Sequence, residues 1–207
     1  MEEDRSQTGI VHSALDVKRW LQFPPTVEEV RPASCPHCGN ASRRPGCALG
    51  IIGHGLRDRQ QRGPPAPWES PKLIVIRIRR YLCVACGSVL TVVPRDVLAR
   101  KHYAATAIAF ALCLFGLLNK TKSEVRRRTS TWQILGEAVA SSWATLDRWI
   151  ADARRGALWR SGTKLPSGTK RQVAARVAQW VVAAAPPSLA GQPIEVQAFT
   201  GASVQVR

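Results

Sequence analysis

Residues 72–93 read KLIVIRIRRYLCVACGSVLTVV. From Ile74 onward the side chains alternate, with Ile74, Ile76 and Ile78 on one face and Val75, Arg77 and Arg79 on the other. A period of two in β-branched residues predicts a strand. A turn follows at Cys86-Gly87, and SVLTVV predicts a second strand that Pro94 stops. The stretch therefore reads as a β-hairpin whose tip carries Cys83 and Cys86.

A matching pair stands upstream. Cys35 and Cys38 lie in CPHCG (35–39), and 44 residues separate the two C-x-x-C pairs. Two residues between thiols let the chain wrap so that both sulfurs point at one ion. The glycine after each pair permits the tight turn that aims backbone N–H groups at the sulfurs. Two such knuckles supply four thiolates in a tetrahedron, a closed structural site with no position left for water. The long segment between them adds little closure entropy. The expected cofactor is one structural Zn²⁺ held by Cys35, Cys38, Cys83 and Cys86.

A thiol redox function for CPHC is the competing reading. Such a dithiol opens a helix after a strand, whereas GNASRRPG, directly after Cys38, cannot sustain a helix past Pro45. It would also leave Cys83 and Cys86 without a role. Cys47, His37 or His54 could each replace a ligand, at the cost of the symmetry between the knuckles. Cys113, among Ala, Leu and Phe, reads as a core residue.

Charge narrows the partners. Thirty Lys and Arg face 14 Asp and Glu, a formal net charge of +16 in 207 residues. The excess sits in residues 31–160, with 22 basic and seven acidic side chains. A field of that sign attracts polyanions, nucleic acid above all. The acidic, polar start MEEDRSQTGIVH does not resemble a secretory signal. The apolar run Tyr103–Leu118 has 16 residues, short of the roughly 20 a membrane span needs, and reads as a buried helix. The expected location is cytoplasmic and nucleoid-associated, with no membrane partner and no small-molecule substrate.

Along the chain, 13–22 predicts a short helix capped by Ser13 and ended by Pro24-Pro25; 43–67 is rich in Gly, Pro and Arg, and parts of it could be a hairpin, but Pro64, Pro65 and Pro67 mark a loop. Helices are expected over 101–118, in TKSEVRRRTS (121–130), in TWQILGEAVAS (131–141), in SSWATLDRWIADARRG (141–156) and over Lys170–Ala185. Ser141 or Ser142 would cap the fourth of these and Gly156 would stop it. The last 20 residues read as a tail.

EAVASSWATLDRWIADARRG (137–156) has the grammar of a helix-turn-helix. Its second helix would turn Leu146, Trp149 and Ile150 inward and leave Trp143, Thr145, Arg148 and Asp152 on the other side. A recognition helix places its first turns in the major groove. There Arg148 could pair with guanine, Thr145 could touch a thymine methyl or a phosphate, and Ser142 could meet a phosphate. Arg126, Arg127 and Arg128 would neutralise the DNA backbone, joined by Arg77, Arg79 and Arg80 of the hairpin.

The order of parts (CPHCG, then IRIRRYLCVACGSVLTVVPRDVLARKHYAATAIAFAL, then SWATLDRW) resembles the N-terminal modules of bacterial insertion-sequence transposases. More closely, it is similar to a transposon-associated bacterial family in which that zinc ribbon precedes a helix-turn-helix. The resemblance covers roughly residues 14–160. It implies zinc at the four cysteines, binding of double-stranded DNA through the ribbon and helices, and a transposon context; a separate transposase subunit is the protein partner that an interaction module would take. Full transposases of this kind also carry three metal-binding carboxylates, yet after Asp152 the only acidic residue is Glu195. No catalysis is therefore expected. The chain reads as an α+β protein: a disordered 1–12, a four-cysteine zinc ribbon of β-hairpins over 13–100, an all-α helix-turn-helix domain over 101–160, and a linker, helix and flexible tail over 161–207. Its expected role is that of an accessory or regulatory factor or a non-catalytic transposase fragment. The alternative is an interaction module docking a transposase or transcription partner.

Overall fold

The alternation of Ile74, Ile76 and Ile78 builds the central strand of a four-stranded sheet. The structure, a computed structural model, describes residues 9–131, 143–159 and 168–205. The strands are β1 (Gly9–His12), β2 (Ile51–Gly63), β3 (Lys72–Cys83) and β4 (Val89–Val93), in the sheet order β1-β4-β3-β2. β3 and β4 form the expected antiparallel hairpin, with Tyr81 opposite Leu90. β1 runs parallel to β4, with Gly9 opposite Leu90 and His12 opposite Val93. Six helices are described: α1 (Val17–Gln22), α2 (Ala105–Gly116), α3 (Lys122–Thr129), α4 (Ala144–Arg154), α5 (Lys170–Val182) and α6 (Ile194–Gln205). The protein is thus a mixed α+β chain.

It divides into two compact units, one of residues 1–60 with 75–95 and the other of 61–74 with 96–207. In the first, Trp20, Ile51, Ile76, Ile78, Tyr81, Leu90 and Val92 are buried. Burial along β3 shifts from even residues, Ile76 and Ile78, to odd ones, Tyr81 and Cys83. The cause is the chain after α1: Tyr81 Oη donates to Val27 O at 2.7 Å and Arg79 Nε to Pro25 O at 2.7 Å, so that segment covers the odd face.

The core of the second unit is α2. Every residue from Ala107 to Phe115 is buried, because α3, α5 and α6 all pack on this helix. The run of alanines lets neighbours approach closely. A Cβ on Gly116 would lie 2.3 Å from Ala175 N, and one on Gly201 2.1 Å from Val181 O. No helix among the described residues is long and apolar enough to cross a membrane.

Several boundaries differ from expectation. Residues 9–12, expected within a disordered N-terminus, form β1. The cap of α1 is Asp16, whose Oδ1 accepts from Arg19 N at 2.8 Å; Ser13 instead donates its N–H to Val93 O at 2.9 Å, prolonging the β1–β4 ladder. Much of 43–67 is the 13-residue edge strand β2. Its mostly exposed, glycine-interrupted sequence carries no period of two, so its order comes from backbone pairing with β3. The last residues are not a tail: α6 buries Ala198 and Ala202. The position before α4 is Trp143, which supplies no side-chain cap. Ser141, Ser142 and the expected helix over 131–141 lie, all but Thr131, outside the described residues.

Candidate metal centre

Each cysteine pair closes by the same local chemistry. Gly39 N donates to Cys35 O and Gly87 N to Cys83 O, both at 2.9 Å. The two glycines take φ of 72° and 71°, a left-handed conformation that costs a residue with a Cβ about 1 kcal/mol. Cys35 N donates to Asn40 O at 2.9 Å and Cys83 N to Ser88 O at 3.0 Å. The two knuckles are therefore copies of one turn, as the repeated C-x-x-C-G predicts. Val84 N, in the second knuckle, donates to Gly50 O at 2.9 Å, and Gly50 N donates to Ser42 O at 2.9 Å. This ladder fastens the second knuckle to the chain leaving the first.

The four sulfurs meet. Cys35, Cys38, Cys83 and Cys86 bring their Sγ atoms within 4.8 Å of one another. Cys35 Sγ lies 3.7 Å from Cys86 Sγ, and Cys38 Sγ 3.6 Å from Cys83 Sγ. These separations exceed the ~2.05 Å of a disulfide, and all six cysteines are free. Cys35 and Cys83 are buried, while Cys38 and Cys86 are exposed. Cys47, His37 and His54 do not belong to the group.

The thiols are unequal. Hydrogen bonds from the Ser88 side chain and backbone hold Cys86 down to about 6. The backbone N–H of Asn40 favours a Cys38 thiolate, but loss of water and the three neighbouring thiols outweigh it and push Cys38 up to about 12. Four negative charges cannot gather here without a cation among them. A divalent ion answers that repulsion, so the donor set fits a metal. Ser88 and Asn40, absent from the sequence reading, tune these sulfurs from the position two residues past each pair; the -C-G-[polar] ending was the signal. Cys113 is buried on α2, where desolvation pushes its thiol up to about 12, as befits a core residue.

The basic residues singled out for DNA belong to both units. Arg77 is exposed, 3.9 Å from Asp58. Arg79 is half-buried and spends its Nε on Pro25 O, and Arg80 is half-buried. On α3, Arg127 is exposed, whereas the Arg128 guanidinium stacks 4.7 Å over Phe110 and donates to Pro67 O. Arg126 is half-buried. On α4, Leu146, Trp149 and Ile150 face inward as expected, Arg148 is exposed and Thr145 is half-buried. Trp143 and Asp152, expected on the outer side, are buried. Trp143 joins an edge-to-face cluster with Trp149 and Tyr103, at centroid distances of 5.2 and 6.3 Å. Asp152 pairs with both Lys101 and Arg155, which compensates its buried charge. Compared with known protein families, with curated proteins and with solved structures, the chain matches none.

Proposed function

We propose that the protein binds double-stranded DNA, that one zinc ion held by Cys35, Cys38, Cys83 and Cys86 organises its first unit, and that it acts without catalysis as an accessory or regulatory factor of transposon origin. The observation carrying the metal assignment is the sulfur geometry. Zinc–thiolate bonds of about 2.3 Å in a tetrahedron put sulfurs ~3.8 Å apart, against 3.6 Å for Cys38–Cys83 and 3.7 Å for Cys35–Cys86 here, with all four sulfurs within 4.8 Å of one another. Zinc would neutralise the clustered thiolates, and its four-sulfur shell would leave no site for water. Such a site contributes folding energy and not chemistry.

The DNA reading rests on the net charge of +16 and on the exposed basic side chains of the second unit, Arg127 and Arg148 among them. The transposon setting rests on the resemblance of the cysteine-bearing hairpin and SWATLDRW to transposase N-terminal modules. Fluorescence anisotropy tests the DNA reading. Zinc-loaded protein is titrated against a duplex from the flank of its own gene and a scrambled duplex, at several salt concentrations. The expected result is tighter binding to the flank, with a log–log salt slope of about −0.9 per phosphate contacted. Equal, weak binding to both would favour a docking module for a protein partner.

A further inference from the structure

The second unit contains an open cleft of about 500 Å³ between the loop before α2 and the exposed side of α4. Five cations line it, Arg62, Arg100, Lys101, Arg148 and Arg155, against a single carboxylate, Asp152. That carboxylate is already taken. Buried, it pairs with Lys101 and with Arg155 and so fixes both cations at the wall. Neither Arg100 nor Arg148 has a carboxylate partner among the described residues; Arg148 reaches only Ala144 O and Thr145 Oγ1, at 3.4 and 3.5 Å. The cleft therefore carries an uncompensated positive charge.

Its walls are held in place. Arg62 N donates to His102 O at 2.7 Å and Ala104 N to Arg62 O at 3.0 Å, tying the end of β2 to the loop. Tyr103 packs edge-on against Trp149 at 4.9 Å, tying the loop to α4. Arg100 sits at φ 57°, a left-handed conformation that disfavours arginine.

We propose that this cleft is a phosphate-binding site that seats a backbone phosphate of the bound duplex. Arg100 and Arg148 contact the phosphate oxygens, and Asp152 acts as the positioning residue for Lys101 and Arg155. Planar guanidiniums suit phosphate oxygens through paired N–H donors. The proposal rests on the DNA-binding reading and locates it: Arg148 and Thr145 act here with residues that no sequence pattern connects.

The test compares Arg100→Gly, Arg155→Gln and Lys72→Gln with the wild type by duplex anisotropy across salt, alongside thermal melting. Glycine accepts φ 57°, so Arg100→Gly removes charge and strain together; its melting temperature should hold or rise while duplex affinity falls about three- to tenfold. Its salt slope should shrink by about one phosphate's worth, equally for flank and scrambled sequences. Arg155→Gln should show the same losses of affinity and salt slope, with a somewhat lower melting temperature because buried Asp152 is left with Lys101 alone, and Lys72→Gln, outside the cleft, should match the wild type. If both cleft variants keep wild-type affinity and slope, the cleft assignment is overturned while DNA binding stands. If the wild type binds no duplex, the DNA reading fails; a pyrophosphate titration followed by amide NMR then decides the cleft separately. Saturable shifts at Lys101–Tyr103 that Arg100→Gly abolishes support a phosphate site for a free ligand, and their absence overturns it.

Discussion

Cys83 is 0% exposed, its Sγ lies 3.6 Å from Cys38 Sγ, and its backbone N–H is committed to Ser88 O. A serine there would keep the turn but lose the thiolate. Cys83→Ser is expected to lose bound zinc and the dispersed amide signals of the first unit, measured by zinc content and heteronuclear NMR. Cys47→Ser should retain both, because its sulfur lies outside the cluster. Full zinc occupancy in Cys83→Ser would sink the ligand assignment. Among the arginines, charge alone misleads. Arg128 is engaged with Phe110 and Pro67, whereas Arg127 is exposed. Arg128→Ala should cost about 1–2 kcal/mol of stability and Arg127→Ala close to none, read by denaturant titration. Three consecutive arginines give no hint of this difference; the rotation of α3 over Phe110 sets it.

At the scale of elements, helix packing in the second unit depends on small residues and on one ion triad. α2 meets the backbone of α5 at Gly116, with 2.3 Å between an added Cβ and Ala175 N. Backbone cannot swing aside, so Gly116→Ala should destabilise by about 1–3 kcal/mol, seen as a lower melting temperature. Asp147 of α4 accepts from Lys122 of α3 at 2.7 Å and from Lys170 of α5 at 2.9 Å. Burial alone would raise its carboxyl, but hydrogen bonds and charge from the two lysines outweigh that and hold it below its ordinary 3.8. A depressed folded value stabilises above the unfolded one and is lost as pH falls through the folded one. Asp147→Asn should therefore cost about 1–2 kcal/mol at pH 7. The gap to the wild type should close as pH drops below about 4, and a gap that persists at low pH would refute the triad's role. Elements with a strong period (β3, β4, α4, α5) were legible, and α2 was legible as a continuous apolar run. α6 was not, because its buried face is Ala198, Gly201 and Ala202, a stripe of small residues that hydrophobic patterning overlooks.

At the scale of the whole molecule, the four-cysteine cluster was legible from two repeated knuckles, since C-x-x-C-G dictates a local turn whatever lies between. The cleft was not, because Arg62, Arg100 and Arg155 converge through the end of a strand, a loop and the end of a helix, with no common spacing. Separate cores also make separate demands. The second unit buries α2 from all sides, while the first has a thin sheet and four sulfurs that repel once ionised. Chelation should therefore abolish the first unit's β-structure and leave most of the helical circular dichroism. The most direct measurement is native mass spectrometry of the intact chain, before and after chelation. One zinc per chain, displacing the thiol protons and lost together with the first unit's structure, is the predicted result. A metal-free native mass with the first unit still folded, or the mass of a disulfide-linked chain, would contradict it.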